Sequence, residues 1–125
     1  MKKLFLLFML TPLLITSSCE NDNDDQIFCT QEFVYGLNVV VLDAISQQPL
    51  VEGVQVKAVD GAYQEILYNL SGLEYTFFGA GERIGTYTIT VTKEGYQTFT
   101  SSPIEVPANV CHVIPQSLTV NLQPE

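Results

Sequence analysis

The chain has 125 residues, with five basic and fourteen acidic side chains, a formal net charge of −9 and no tryptophan. That length leaves room for one domain of common size behind any leader segment. Proteins that track phosphate backbones need clustered Lys and Arg to displace counterions, so this composition excludes nucleic acid as a partner and disfavours electrostatic adhesion to anionic headgroups.

Met1-Lys2-Lys3 precede an uncharged apolar run over residues 4–15. Two cations before such a run read as a secretory signal. The run falls short of the ~20 residues that span a bilayer as a helix, and Pro12 weakens a long helix further, so no permanent membrane span is expected. Ile15-Thr16-Ser17-Ser18-Cys19 follows, small residues ahead of a cysteine. This resembles the lipobox of bacterial lipoproteins, although Thr16 stands where that family most often has Leu. In that family the cysteine thiol receives a diacylglyceryl group and becomes the new N-terminus. The resemblance implies a signal peptide over 1–18, lipidation at Cys19, and a place in the bacterial cell envelope, at the outer membrane on its periplasmic or surface face. The membrane is then a partner through covalent lipid. The alternative is an ordinary secretory cut that leaves Cys19 a spare thiol.

Glu20-Asn21-Asp22-Asn23-Asp24-Asp25-Gln26 carries four carboxylates and no apolar side chain. It predicts a solvated tether over 19–28, with an average reach of roughly 15 Å. Acidic runs here also resemble the surface-export signals of some bacterial lipoproteins; a plain solubilising spacer is the other reading. The spacing is not that of an EF-hand calcium loop. Three cysteines leave one unpaired in any intramolecular scheme. With Cys19 lipidated, Cys29 and Cys111 remain as an even pair in an oxidising compartment, and a disulfide between them is expected. Two independently buried thiols are the alternative.

Residues 29–125 read as one domain of short β-branched and aromatic runs separated by turns. The expected strands are 37–42, 54–59, 63–68, 74–78, 86–93, 96–100 and 117–122. The clearest is Thr86-Tyr87-Thr88-Ile89-Thr90-Val91-Thr92-Lys93, with Tyr87, Ile89 and Val91 on one face. Leu118, Val120 and Leu122 repeat the alternation. Leu37-Asn38-Val39-Val40-Val41-Leu42 is more continuously apolar and suits a central strand. Asp60-Gly61 and Glu94-Gly95 read as tight turns, where glycine accepts a positive φ. The pattern predicts an all-β fold, an antiparallel β-sandwich of about seven strands.

Three stretches resemble the carboxypeptidase regulatory-like domain, a transthyretin-type (prealbumin-like) β-sandwich. The first runs from Val39-Val40-Val41-Leu42-Asp43 through Ser46-Gln47-Gln48-Pro49-Leu50 to Gly53-Val54-Gln55-Val56. The others are Gly85-Thr86-Tyr87-Thr88-Ile89-Thr90-Val91 and Lys93-Glu94-Gly95-Tyr96. Asp43 and Ser46 are placed to bond turn amides, and Tyr96 to lie over a sheet edge. Ser46-Gln47 replaces the family's usual Thr-Gly, and residues 102–116, with Pro103, Pro107 and Pro115, are longer than a simple hairpin. In metallocarboxypeptidases this domain is an accessory, so the resemblance implies no peptidase activity.

The chemistry-bearing residues are sparse. There is one histidine, His112, beside Cys111, and no Gly-x-Ser-x-Gly elbow. The several Cys or His ligands that zinc requires are missing, so no metal or other cofactor is expected. Glu82-Arg83, between Gly81 and Gly85, reads either as the tip of a ligand loop, with His112 a candidate beside it, or as part of a surface or inter-loop ion pair. Tyr63, Tyr68, Tyr75, Phe77 and Phe78 read as a sugar-stacking surface or, more cheaply, as core. The expectation is a non-enzymatic, membrane-anchored envelope lipoprotein acting as a structural or interaction module for a protein or glycan. The alternative is a carbohydrate-binding accessory lipoprotein at the cell surface.

Overall fold

The computed structural model describes residues 26–70 and 74–125; the expected signal peptide, Cys19 and most of the acidic tether lie outside them. Every regular element among the described residues is a strand: β1 (Tyr35–Asp43), β2 (Gln55–Asp60), β3 (Tyr63–Asn69), β4 (Thr76–Gly81), β5 (Gly85–Thr92), β6 (Phe99–Thr100), β7 (Ile104–Val106) and β8 (Gln116–Leu122). The all-β expectation holds, and each of the seven expected runs overlaps a strand.

Alternation sorts the side chains. In β5, Tyr87, Ile89 and Val91 are fully buried, while Thr88 and Thr90 between them are half-buried. Leu37, Val39 and Val41 of β1, Val56 and Ala58 of β2, and Val120 and Leu122 of β8 complete the same core, with Leu118 packed against it. The expected Asp60-Gly61 turn joins β2 to β3, whose end residues Asp60 and Tyr63 pair, with Gly61 at φ 57°.

The strand path is β6-β5-β2-β3-β4-β1-β8, and β7 also pairs with β5. Two points correct the sequence reading. There are eight strands rather than seven, because β7 is a three-residue strand between Pro103 and Pro107, too short to display a period. The sheet is also mixed, not purely antiparallel: β1 and β8 run parallel from Leu37↔Gln116 to Asp43↔Leu122. Parallel partners need a long crossover, here most of the domain, so no local turn announces the pairing. The sheet curls until it is nearly barrel-shaped. Gly36 of β1 approaches Val106 of β7 so closely that a Cβ there would collide with the valine. At the far end the last residues close part of the gap: Gln97 N donates to Gln123 O at 2.8 Å and Glu125 N to Gly95 O at 2.9 Å.

Each end of the domain has its own fastening. At the start of β1, Cys29 is bonded to Cys111 across 82 positions, with Cα atoms 5.2 Å apart. The bridge ties the segment before β1 to the loop between β7 and β8. At the end of β1, Asp43 accepts the Ile45 and Ser46 amides at 2.8 Å each and the Tyr96 hydroxyl at 2.7 Å. The Ser46 amide, then the Tyr96 hydroxyl and the Ile45 amide, hold the Asp43 carboxyl at about 2, below its ordinary 3.8.

Two outcomes follow from these fastenings. Replacing Cys29 and Cys111 by serine frees a long loop in the unfolded chain and lowers the unfolding free energy by about 4 kcal/mol, measured as a fall in the urea midpoint. Asp43 has a folded pKa below its unfolded one, so its contribution is complete above about pH 4 and is lost as pH falls through about 2. Acid titration of wild-type stability therefore declines across that window, and Asp43→Asn both lowers stability at neutral pH and flattens this part of the curve.

Candidate functional site

Strand β4 ends in a left-handed kink, with Ala80 at φ 50° and Glu82 at φ 47°. The kink sends the consecutive side chains of Glu82 and Arg83 to different neighbours. Glu82 Oε1 accepts the Val34 amide at 2.9 Å and lies 2.7 Å from His112 Nδ1. Its Oε2 accepts the Val113 amide at 3.3 Å. The other ring nitrogen of His112 is 3.0 Å from Thr30 Oγ1. Asn109 Oδ1 shapes the same loop by accepting the Cys111 and His112 amides at 2.8 Å each. Partial burial pushes the Glu82 carboxyl up, but the Val34 amide, the His112 ring and the Val113 amide together leave its pKa lowered.

Arg83 turns to the other side. Its Nη1 donates to Asp60 Oδ2 at 2.9 Å and to Tyr87 Oη at 2.8 Å, and Tyr87 Oη donates back to the Arg83 carbonyl at 3.1 Å. The guanidinium lies 3.7 Å over the Tyr63 ring, a stacked cation–π contact. The Tyr87 and Asp60 bonds, in that order, raise its pKa. The inter-loop ion pair is thus Arg83–Asp60, and the pair at the loop tip is Glu82–His112.

Of the three candidate ligand-loop residues, the fold joins Glu82 with His112 and holds Arg83 apart. Thr30, Asp60 and Tyr87 were missed as their partners. Two signals pointed to them. Thr30 and His112 each follow a cysteine of the expected bridge, which sets them side by side. A buried tyrosine hydroxyl needs a polar partner, and Arg83 lies four residues before Tyr87.

Thr30, His112 and Glu82 have the connectivity of a nucleophile, base and orienting acid. Acyl transfer also needs a cleft beside the nucleophile and donors aimed at the developing oxyanion. A shallow cavity of about 340 Å³ at this end is lined by Ile84, Gly85, Glu105, Val106, Pro107 and Ala108, with neither Thr30 nor His112 on its wall. The relay lies directly beside Cys29–Cys111 and works as a polar clasp. Among the described residues no three His, Cys, Asp or Glu side chains group as metal ligands would.

The aromatic residues divide. Phe77 is in the core, and Tyr63 is half-buried under Arg83. Tyr68 and Phe78 sit on the outer face, where they meet Tyr35 and, through it, Phe33. Ring centroids are 5.2 Å for Phe33–Tyr35, 5.7 Å for Tyr35–Tyr68 and 5.3 Å for Tyr35–Phe78. Gly81 makes room for the row, because the Phe33 ring occupies the space a Cβ would need. The Tyr35 and Tyr68 hydroxyls are hydrogen-bonded to each other, which helps to raise the Tyr68 phenol to about 12. Phe33, Tyr68 and Tyr75 are exposed. Tyr35 and Phe33 were absent from the expected surface because they belong to β1 and its approach, far from the others in sequence.

No family model matches the chain, and no curated protein matches it significantly.

The clasp predicts a local effect. Glu82→Ala removes the acceptor shared by the Val34 and Val113 amides, so both exchange hydrogen faster. Amides of β5, which the carboxylate does not touch, keep their protection in the same exchange measurement.

Proposed function

We propose that this chain is a non-enzymatic, lipid-anchored protein of the bacterial cell envelope. Its domain, a transthyretin-type β-sandwich of carboxypeptidase regulatory-like kind, serves as a structural or interaction module. The observation that carries the reading is the clasp at the end where the tether joins. A lipid on Cys19 pulls on residues 26–34, which belong to no strand. The Cys29–Cys111 bond, the Thr30–His112–Glu82 chain and the Glu82–Val34 bond carry that load into β4 and the loop before β8. The disulfide also suits an oxidising compartment outside the cytosol. Support for the family likeness comes from the Asp43–Tyr96 bond, which links two of the three stretches on which it rests.

A second reading, a carbohydrate-binding accessory lipoprotein, is favoured by the Phe33–Tyr35–Phe78–Tyr68 row. Rings of this kind offer apolar surface with a polar edge, and an acidic chain suits a neutral glycan better than an anionic one.

One experiment addresses both readings. Protein extracted from envelopes carries a diacylglyceryl group on Cys19 by mass spectrometry, and Cys19→Ser moves it to the soluble fraction; an unmodified N-terminus would refute the anchor. The same material on a neutral glycan array separates the roles. Binding lost in Tyr68→Ala supports the carbohydrate reading, and an array without hits leaves the protein-facing module. Turnover of ester, peptide or glycoside substrates abolished by His112→Ala would overturn the non-enzymatic assignment.

A further inference from the structure

We infer that the Cys29 end of the domain rests on the bilayer, with Ile27, Phe28 and Val110 entering the lipid interface as an apolar foot. This rests on the lipid-anchor reading of Cys19. Phe28 and Val110 each immediately precede a bridged cysteine, so the bridge, with cysteine Cα atoms 5.2 Å apart, holds both residues at the same end of the domain. Their exposure is extreme for such side chains, 86% for Phe28 and 72% for Val110, with Ile27 at 61%. Ile84 and Ile114 are exposed as well and lie at the same end. Ile114 N bonds to Pro107 O, and Ile84 shares with Pro107 the wall of the shallow cavity. Single exposed apolar side chains are ordinary, but several gathered at one end mark a surface that something covers.

The tether decides what covers it. Cys29 lies ten positions beyond Cys19, so even a fully extended chain separates the two by at most about 35 Å. A flexible one averages roughly 17 Å. The lipid therefore presents this end of the domain to the membrane at a higher effective concentration than any other. Weak apolar contacts then suffice to seat it, and no basic patch is required. The charge is consistent with apolar insertion: the acidic tether and the nearby Glu32 repel anionic headgroups, so the surface met is a zwitterionic one. In this pose the aromatic row on the flank of β1, β4 and β3 stays open to the surroundings.

The test uses the lack of tryptophan in the chain, which makes F28W, V110W and I45W single-reporter proteins. Ile45 is 79% exposed in the turn after β1, at the opposite end. Each processed, lipidated protein is purified from membranes and reconstituted in phosphatidylcholine vesicles with brominated acyl chains. Fluorescence of F28W and V110W is expected to fall roughly twofold or more, as for groups buried at the interface, while I45W is unaffected. Equal quenching of all three proteins overturns the inference. So does an absence of quenching in any of them while mass spectrometry confirms lipid on Cys19; that result assigns the patch to a protein partner. Mass spectrometry showing no lipid on Cys19 instead refutes the anchor reading itself, and the foot with it.

Discussion

Strand β1 has partners along both edges, β4 antiparallel on one side and β8 parallel on the other, and it turns Leu37, Val39 and Val41 into the core without measurable exposure beyond 1%. A buried backbone cannot leave its amides and carbonyls unpaired, so a central strand of this kind obliges the chain to return to it twice. The second return, by β8, comes at the end of the chain and joins the first strand to the last. Both polar fastenings sit at the ends of this one strand. Val34, just before it, bonds to Glu82, and Asp43, its last residue, bonds to Tyr96. The core strand and the two clasps therefore hold a common register.

This arrangement engages two of the three basic side chains among the described residues. Arg83 is spent on Asp60, Tyr87 and Tyr63, and Lys93 Nζ donates to the Glu52 carbonyl at 2.6 Å. Most of the exposed apolar side chains among the described residues lie in two places, the Cys29 end and the outer face of β1, β4 and β3, with Ile45 and Ile66 apart from them. Glu82, besides lying against His112, also holds the Val34 and Val113 amides.

Much of this was legible beforehand. Period-two alternation identified the buried faces of β5 and β8 because burial on one side of a strand leaves its mark at every second residue. Asp60-Gly61 and Glu94-Gly95 were readable as turns because positive φ restricts residue choice. The pairing of Cys29 with Cys111 was expected only with Cys19 set aside by the lipobox resemblance, because counting three cysteines alone leaves it open. The division of labour between Glu82 and Arg83 was not readable, because it depends on a backbone kink at Ala80 and Glu82, neither of which is a glycine. Phe33 and Tyr35 were invisible as members of the aromatic row because their partners arrive from β3 and β4.

By itself the order of residues determined the strand-forming segments, the inward faces, the tight turns and the acidic character, all of which are set by neighbours within a few positions. Only the tertiary structure decided the parallel pairing of β1 with β8, the short strand β7, and which side chains meet Glu82, Arg83 and Tyr35. Most of those contacts join residues separated by tens of positions, and their energy depends on how a curled sheet brings its edges together, a distance that no local pattern encodes.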